Sequence, residues 1–153
     1  MIKRAYAVVK GGTLYPNING AVFMTQYKDG VEVVAKIHNL PKFSREDNKF
    51  IGPFGFHIHD GGSCQKGDDK TPFPLAGRHY NPTNAPHGNH AGDLPVLMPM
   101  SNNTAIMKIM TDKFKLEDVA GLAIVVHLYP DDYRTDPDGA SGPKIACGII
   151  QPY

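Results

Sequence analysis

Gly55-Phe56-His57-Ile58-His59-Asp60-Gly61-Gly62-Ser63-Cys64 is the stretch on which the reading of this chain turns. In an extended strand successive side chains point to opposite faces, so His57 and His59 project one way while Phe56 and Ile58 project the other. One face then carries two imidazoles and the other is apolar. A His-x-His pair alone is a weak signal, because two histidines on a solvated strand face are commoner than two ligands; the positions of the other histidines give it weight. Four of these stand at His79, His87, His90 and His127, and His38 lies apart.

Outward from this stretch, short β-rich runs alternate with turn signals. Arg4 to Lys10 alternates around Ala5, Ala7 and Val9 and stops at Gly11-Gly12. Ile18 to Tyr27 ends at Lys28-Asp29-Gly30, an Asp-Gly hairpin signal, and Val31 to Leu40 stops at Pro41. These three runs predict an antiparallel meander. Lys42 to Phe54 is polar and predicts a loop. Asp60 to Asp93 is rich in glycine and proline and has no periodicity; so long a loop in a small domain needs a metal or a disulfide to hold it. Leu94 to Met100, interrupted by prolines, predicts an edge or irregular strand, and Thr104 to Met110 alternates again. Lys113 to Ala120 predicts a short helical turn or loop. Gly121 to Leu128 is an apolar run that includes His127, Tyr129 to Lys144 is a polar loop, and Ile145 to Ile150 is a last strand. About eight short strands with two long excursions predict an all-β Greek-key sandwich or barrel, not a βαβ fold.

With 153 residues the chain has the length of one domain, spanning 1–153, and can bury roughly two-thirds of the surface its unfolded form exposes. Its 16 basic and 15 acidic side chains leave a net charge of +1 without long runs, which argues against a nucleic acid or a membrane as partner and for a small one. No window has the 18 or more apolar residues of a membrane span, and no signal peptide is visible after Met1. The expectation is a cytoplasmic protein or the mature form of an extracytoplasmic one. Cys64 and Cys147 are compatible with two buried free thiols or with a disulfide; a bond would close a loop worth about 4 to 5 kcal/mol in the chain-entropy account.

His79, His87, His90 and Asp93 fall within one glycine- and proline-rich loop and supply four nitrogen and oxygen donors, a complete tetrahedral set for zinc. His57, His59 and His127 lie on or at the ends of predicted strands. Three or four imidazoles held on strands with an open position suit copper, which favours nitrogen donors.

Taken together, Gly55-Phe56-His57-Ile58-His59, His79-Tyr80-Asn81-Pro82, His87, His90-Ala91-Gly92-Asp93, His127 followed by Asp131, and Ala146-Cys147-Gly148 resemble the copper/zinc superoxide dismutase family over nearly the whole chain. The resemblance implies a flattened eight-stranded Greek-key barrel with two long functional loops. It implies copper on His57, His59, His79 and His127, and zinc on His79, His87, His90 and Asp93, with His79 shared as a bridging imidazolate. It further implies a Cys64–Cys147 disulfide, an Asp131 carboxylate joining a copper histidine to a zinc histidine, and a homodimer. The activity implied is disproportionation of superoxide to dioxygen and hydrogen peroxide through the Cu(II)/Cu(I) couple, the bridging nitrogen of His79 carrying a proton to the departing peroxide.

Three departures bear on that expectation. Lys144 stands where the family usually has an arginine; it keeps the charge but loses the planar fork of donors, so a working but slower enzyme is expected. Asp131, Asp132, Asp136 and Asp138 face only Arg134 and Lys144 in the same loop, which weakens the positive approach. Only two residues separate His87 from His90, and Cys64 to His79 is long, both more like bacterial members. His38 is expected on the surface, and Met98, Met100, Met107 and Met110 in the core rather than as soft copper donors. Two other classes compete with the enzyme: a copper-binding or storage module of the same fold without turnover, and an interaction domain holding zinc alone.

Overall fold

Alternation of small and β-branched residues builds the first sheet of the computed structural model, which describes residues 1–153. Strand β1 (Arg4–Gly11) turns Ala5, Ala7 and Val9 inward. β2 (Asn19–Tyr27) does the same with Val22 and Met24, and β3 (Gly30–His38) with Val31, Val33, Ala35 and Ile37. The three form the expected antiparallel meander, β2 and β3 joined across Lys28-Asp29 with Tyr27 opposite Gly30.

The second half is wound by long crossovers. β6 (Phe54–Ile58) pairs with β7 (Asp93–Leu97) on one side and β9 (Ala123–His127) on the other; β8 (Ala105–Thr111) pairs with β3, and β10 (Lys144–Ile149) joins β9 to β1. The order β7-β6-β9-β10-β1-β2-β3-β8, antiparallel throughout, is a Greek-key arrangement. A bridge from Pro99 to Ala105 brings its two edges together, so the eight strands form a nearly closed, flattened barrel. β11 (Gln151–Pro152) adds a short pairing to β1, and the only helices are a turn at Pro74–Ala76 and α1 (Leu116–Val119).

The interior is a cluster that includes Phe54, Phe56 and Ile58 of β6 and Ile124 and Val126 of β9. Every residue of β6 and β9 is buried on both faces, because the two long loops cover the outside. The first loop is pinned along β6 by backbone hydrogen bonds: Ile58 N to Gly92 O, Tyr80 N to Ile58 O and Asp60 N to Arg78 O, all at 2.7–2.8 Å. Outside the barrel, Cys64 and Cys147 are disulfide-bonded across a sequence separation of 83, and Phe73, Ala76, Ala123 and Val125 pack around Cys147. This bond ties the same loop to β10.

Three expectations need correction. Lys42 to Phe54 is not all loop: β4 (Ser44–Glu46) and β5 (Lys49–Ile51) form a hairpin around Asp47-Asn48, both at positive φ, and Phe54 already belongs to β6. The hairpin is three residues a side and polar, so it shows no alternation. The methionines are not core filling as a set. Strand parity puts Met107 against the core but Met110 outside at 55% exposure, and Met98 and Met100 lie beyond the end of β7 at 63% and 49%. His38 is half-buried, its Nδ1 3.2 Å from Thr104 Oγ1.

Candidate metal centre

The pleat decides where the imidazoles go. With Phe56 and Ile58 committed to the core, His57 and His59 must face the covered outer side of the sheet. His127 at the end of β9 projects to that same side, since Ile124 and Val126 point inward. The first loop adds His79 through a bridge to His59, and Asp93 opens β7 opposite His57. All six histidines of the cluster are at most 7% exposed.

Donor atoms converge in two groups. His57, His59, His79 and His127 form one, and His79, His87, His90 and Asp93 the other; within each group one donor atom per residue lies within 4.8 Å of the rest. His79 alone belongs to both. Its Nε2 faces the first group and its Nδ1 the second, 3.1 Å from Asp93 Oδ1 and 3.3 Å from His90 Nδ1.

Hydrogen bonding fixes which nitrogen of each ring is bare. His59 Nδ1 donates to Gly77 O and His127 Nδ1 to Gly142 O, both at 2.9 Å, which leaves two lone-pair Nε2 atoms facing each other at 3.1 Å. Two acceptors that close repel unless a cation lies between their lone pairs. His57 Nε2 donates to Asp131 Oδ2 at 2.6 Å and His87 Nε2 to Asp131 Oδ1 at 2.7 Å, so both Nδ1 atoms are bare. His57 Nδ1, His79 Nε2 and His87 Nδ1 are buried without any hydrogen-bond partner. Such orphans are costly in a dry interior, and bound metal ions remove the cost. The residues therefore fit both ions: an all-imidazole set suits copper, and three imidazoles with a carboxylate suit zinc.

His57, His87 and Asp131 also come together, but as a hydrogen-bonded link, since each N···O separation is that of a direct bond. Tyr133 N donates a third hydrogen bond to Asp131 at 2.7 Å. Burial keeps three of the imidazoles, His57, His59 and His127, neutral. Burial, then the neighbouring His127, holds His57 and His59 well below the usual histidine range, and burial takes His127 down to about 4. Burial alone would raise the Asp93 carboxyl; the hydrogen bond from His79 and the field of His87 and His90 outweigh it and hold it low. At neutral pH His57, His59 and His127 thus each present a lone pair and Asp93 a carboxylate, as metal ligation requires.

Lys144 pairs with His127 at a bulge of β10, half-buried, and its Nζ donates to Phe73 O at 3.2 Å. Burial lowers its pKa, partly offset by Asp60. Sequence reasoning missed the supports made by the backbone. The Gly77 and Gly142 carbonyls orient two imidazoles, and Gly139, at φ 68°, has no room for a side chain: a Cβ there would lie 2.0 Å from Asp131 Oδ1 and 2.4 Å from His87 Nε2. Glycines in the loops were the available signal.

A Greek-key barrel that buries two imidazole-rich donor sets sharing one histidine is the build of a metal-binding protein. The chain belongs to the copper/zinc superoxide dismutase family: the family model matches residues 18–150. Among its relatives, "Superoxide dismutase [Cu-Zn]" of Legionella pneumophila is 36% identical over 139 residues, covering 86% of this chain and 77% of that protein. The Photobacterium leiognathi enzyme of the same name is 32% identical over 144 residues, covering 86% and 78%. The solved Cu/Zn superoxide dismutase from Brucella abortus shares the fold, with a TM-score of 0.78 at 24% identity over 97% of this chain and all of that one. The protein is thus an oxidoreductase of this family, with superoxide as substrate and copper and zinc as cofactors.

Proposed function

We propose that copper is held by His57 Nδ1 and the Nε2 atoms of His59, His79 and His127, and zinc by the Nδ1 atoms of His79, His87 and His90 with Asp93. The observation that carries this is the convergence of bare, buried nitrogens, above all the 3.1 Å facing pair of His59 and His127. Copper bound there supplies one-electron exchange with superoxide, oxidising one molecule to dioxygen and reducing the next to hydrogen peroxide.

The rest of the work falls to the chain. His79 Nε2 is the atom that would hold a proton whenever copper is not bonded to it, since no protein group competes for it and Nδ1 is directed to the second donor set. Asp131 locks the rings of His57 and His87 in one tautomer and ties the two sets together. Lys144 attracts and places the incoming anion, its ammonium donating one hydrogen bond to Phe73 O and keeping its other N–H groups for the anion. His79→Ala should lose the copper spectrum in its native form and zinc occupancy together; retention of both at full affinity would contradict the assignment. Superoxide consumption by the loaded wild type separates this reading from a storage module without turnover.

Residues 1–153 act as one such domain, with a small anion in place of nucleic acid or membrane as partner. No helix is long and apolar enough to cross a membrane, and the charge is nearly balanced. Assembly as a homodimer is supported by exposed Val8, Phe23, Ile106 and Met110, which parity places on the outer face of the first sheet. Sedimentation equilibrium tests it: a monomer at micromolar concentration would refute it.

A further inference from the structure

A polar cavity of about 210 Å³ opens beside His79, and its walls include Asp60, Arg78, Asn84, His90 and Pro137. Arg78 directly precedes His79 and is exposed. Its guanidinium has no partner in the chain: Lys108–Glu32 is the one ion pair that any lysine or arginine makes with a carboxylate. The acidic groups near it keep their charge but are held by backbone N–H donors rather than by the guanidinium. Asp60 Oδ1 accepts the backbone N–H of Arg78 at 2.9 Å, and in the facing loop Asp136 Oδ1 accepts His87 N at 2.7 Å. Lys144, by contrast, is already bound to Phe73 O.

We propose that Arg78 is a second anion-guiding residue, receiving small anions in this cavity and supplying beside His79 the planar donor fork that Lys144 lacks. This rests on the reading of His79 as part of the metal centre. A free guanidinium offers two parallel N–H donors to an oxyanion, where an ammonium offers a point charge. An exposed side chain can also move with the anion as it enters, while Lys144 is tied to Phe73 O. The weak field expected from the acidic loop is thereby strengthened beside His79.

The test compares Arg78→Gln and Arg78→Lys with wild type, all loaded with copper and zinc and checked for equal metal content. Azide, as the anion probe, is titrated and read by absorbance, and the rate constant with superoxide is measured against ionic strength. Arg78→Gln should weaken azide and slow the low-salt reaction by roughly threefold to tenfold, one charge's share of such steering, and should flatten the salt dependence. Arg78→Lys should restore the salt dependence but not the azide affinity. Unchanged azide affinity in Arg78→Gln would overturn the proposal, as would a fall in its metal content, which would make Arg78 a structural residue. Failure of the loaded wild type to consume superoxide would instead sink the dismutase reading, and the azide titration would still decide the role of Arg78.

Discussion

At Asp131 one carboxylate takes a proton-bearing nitrogen from each metal set, His57 through Oδ2 and His87 through Oδ1. Asn in its place would meet one of those N–H groups with another donor, so one ring must turn or lose its partner. Asp131→Asn should therefore weaken both copper and zinc, by about tenfold to a hundredfold, in competition with chelators; an effect on one metal alone would contradict the link. Lys144→Arg should raise the superoxide rate constant, because the planar fork both attracts and orients; an unchanged or lower rate counts against the assigned role. At this scale the donor side chains were legible, since histidine spacing on a strand and a His/His/His/Asp loop carry chemical identity. The groups that orient them were not. Gly77 O, Gly142 O and Phe73 O are backbone atoms, and which carbonyl meets which ring depends on how two distant loops settle.

Among the elements, β6 does most to position the centre, with Phe54, Phe56 and Ile58 anchored in the core while His57 faces outward. A one-residue slip would exchange the faces, burying imidazoles in the core, so the apolar side holds the register. The first loop has little secondary structure of its own and depends on the disulfide and the ligands. Cys64→Ser with Cys147→Ser should cost about 2 to 5 kcal/mol in urea unfolding of the loaded protein. A change below 1 kcal/mol would show that metal and packing alone hold the loop. The alternating strands of the meander were legible because their period of two is unbroken over many residues. The β4–β5 hairpin was not, being short and polar, and the methionine positions followed strand parity and strand ends that composition does not show.

For the whole molecule, the barrel supplies a back wall and the two loops cover it, and on the proposed assignment the metals would join them. A ligand that binds only the folded chain stabilises it in proportion to the logarithm of its concentration over its dissociation constant, about 4 kcal/mol at a thousandfold excess. Chelation should lower the melting temperature by several degrees for each ion removed, and restoring zinc alone should recover part of it. Identical melting with and without metal would mean that the orphaned nitrogens cost nothing in the folded state. Eight antiparallel strands and two excursions were legible from the turn signals; the approach of β7 to β8 that nearly closes the sheet was not, since periodicity marks a strand but not its neighbour.

Diffraction from the oxidised, copper- and zinc-loaded protein, recorded with anomalous signal at both absorption edges, tests the shared imidazole most directly. The expected map has copper bonded to His79 Nε2 and zinc to His79 Nδ1 in the same molecule. Either ring nitrogen found without a metal, or both ions on one side of the ring, would contradict the account.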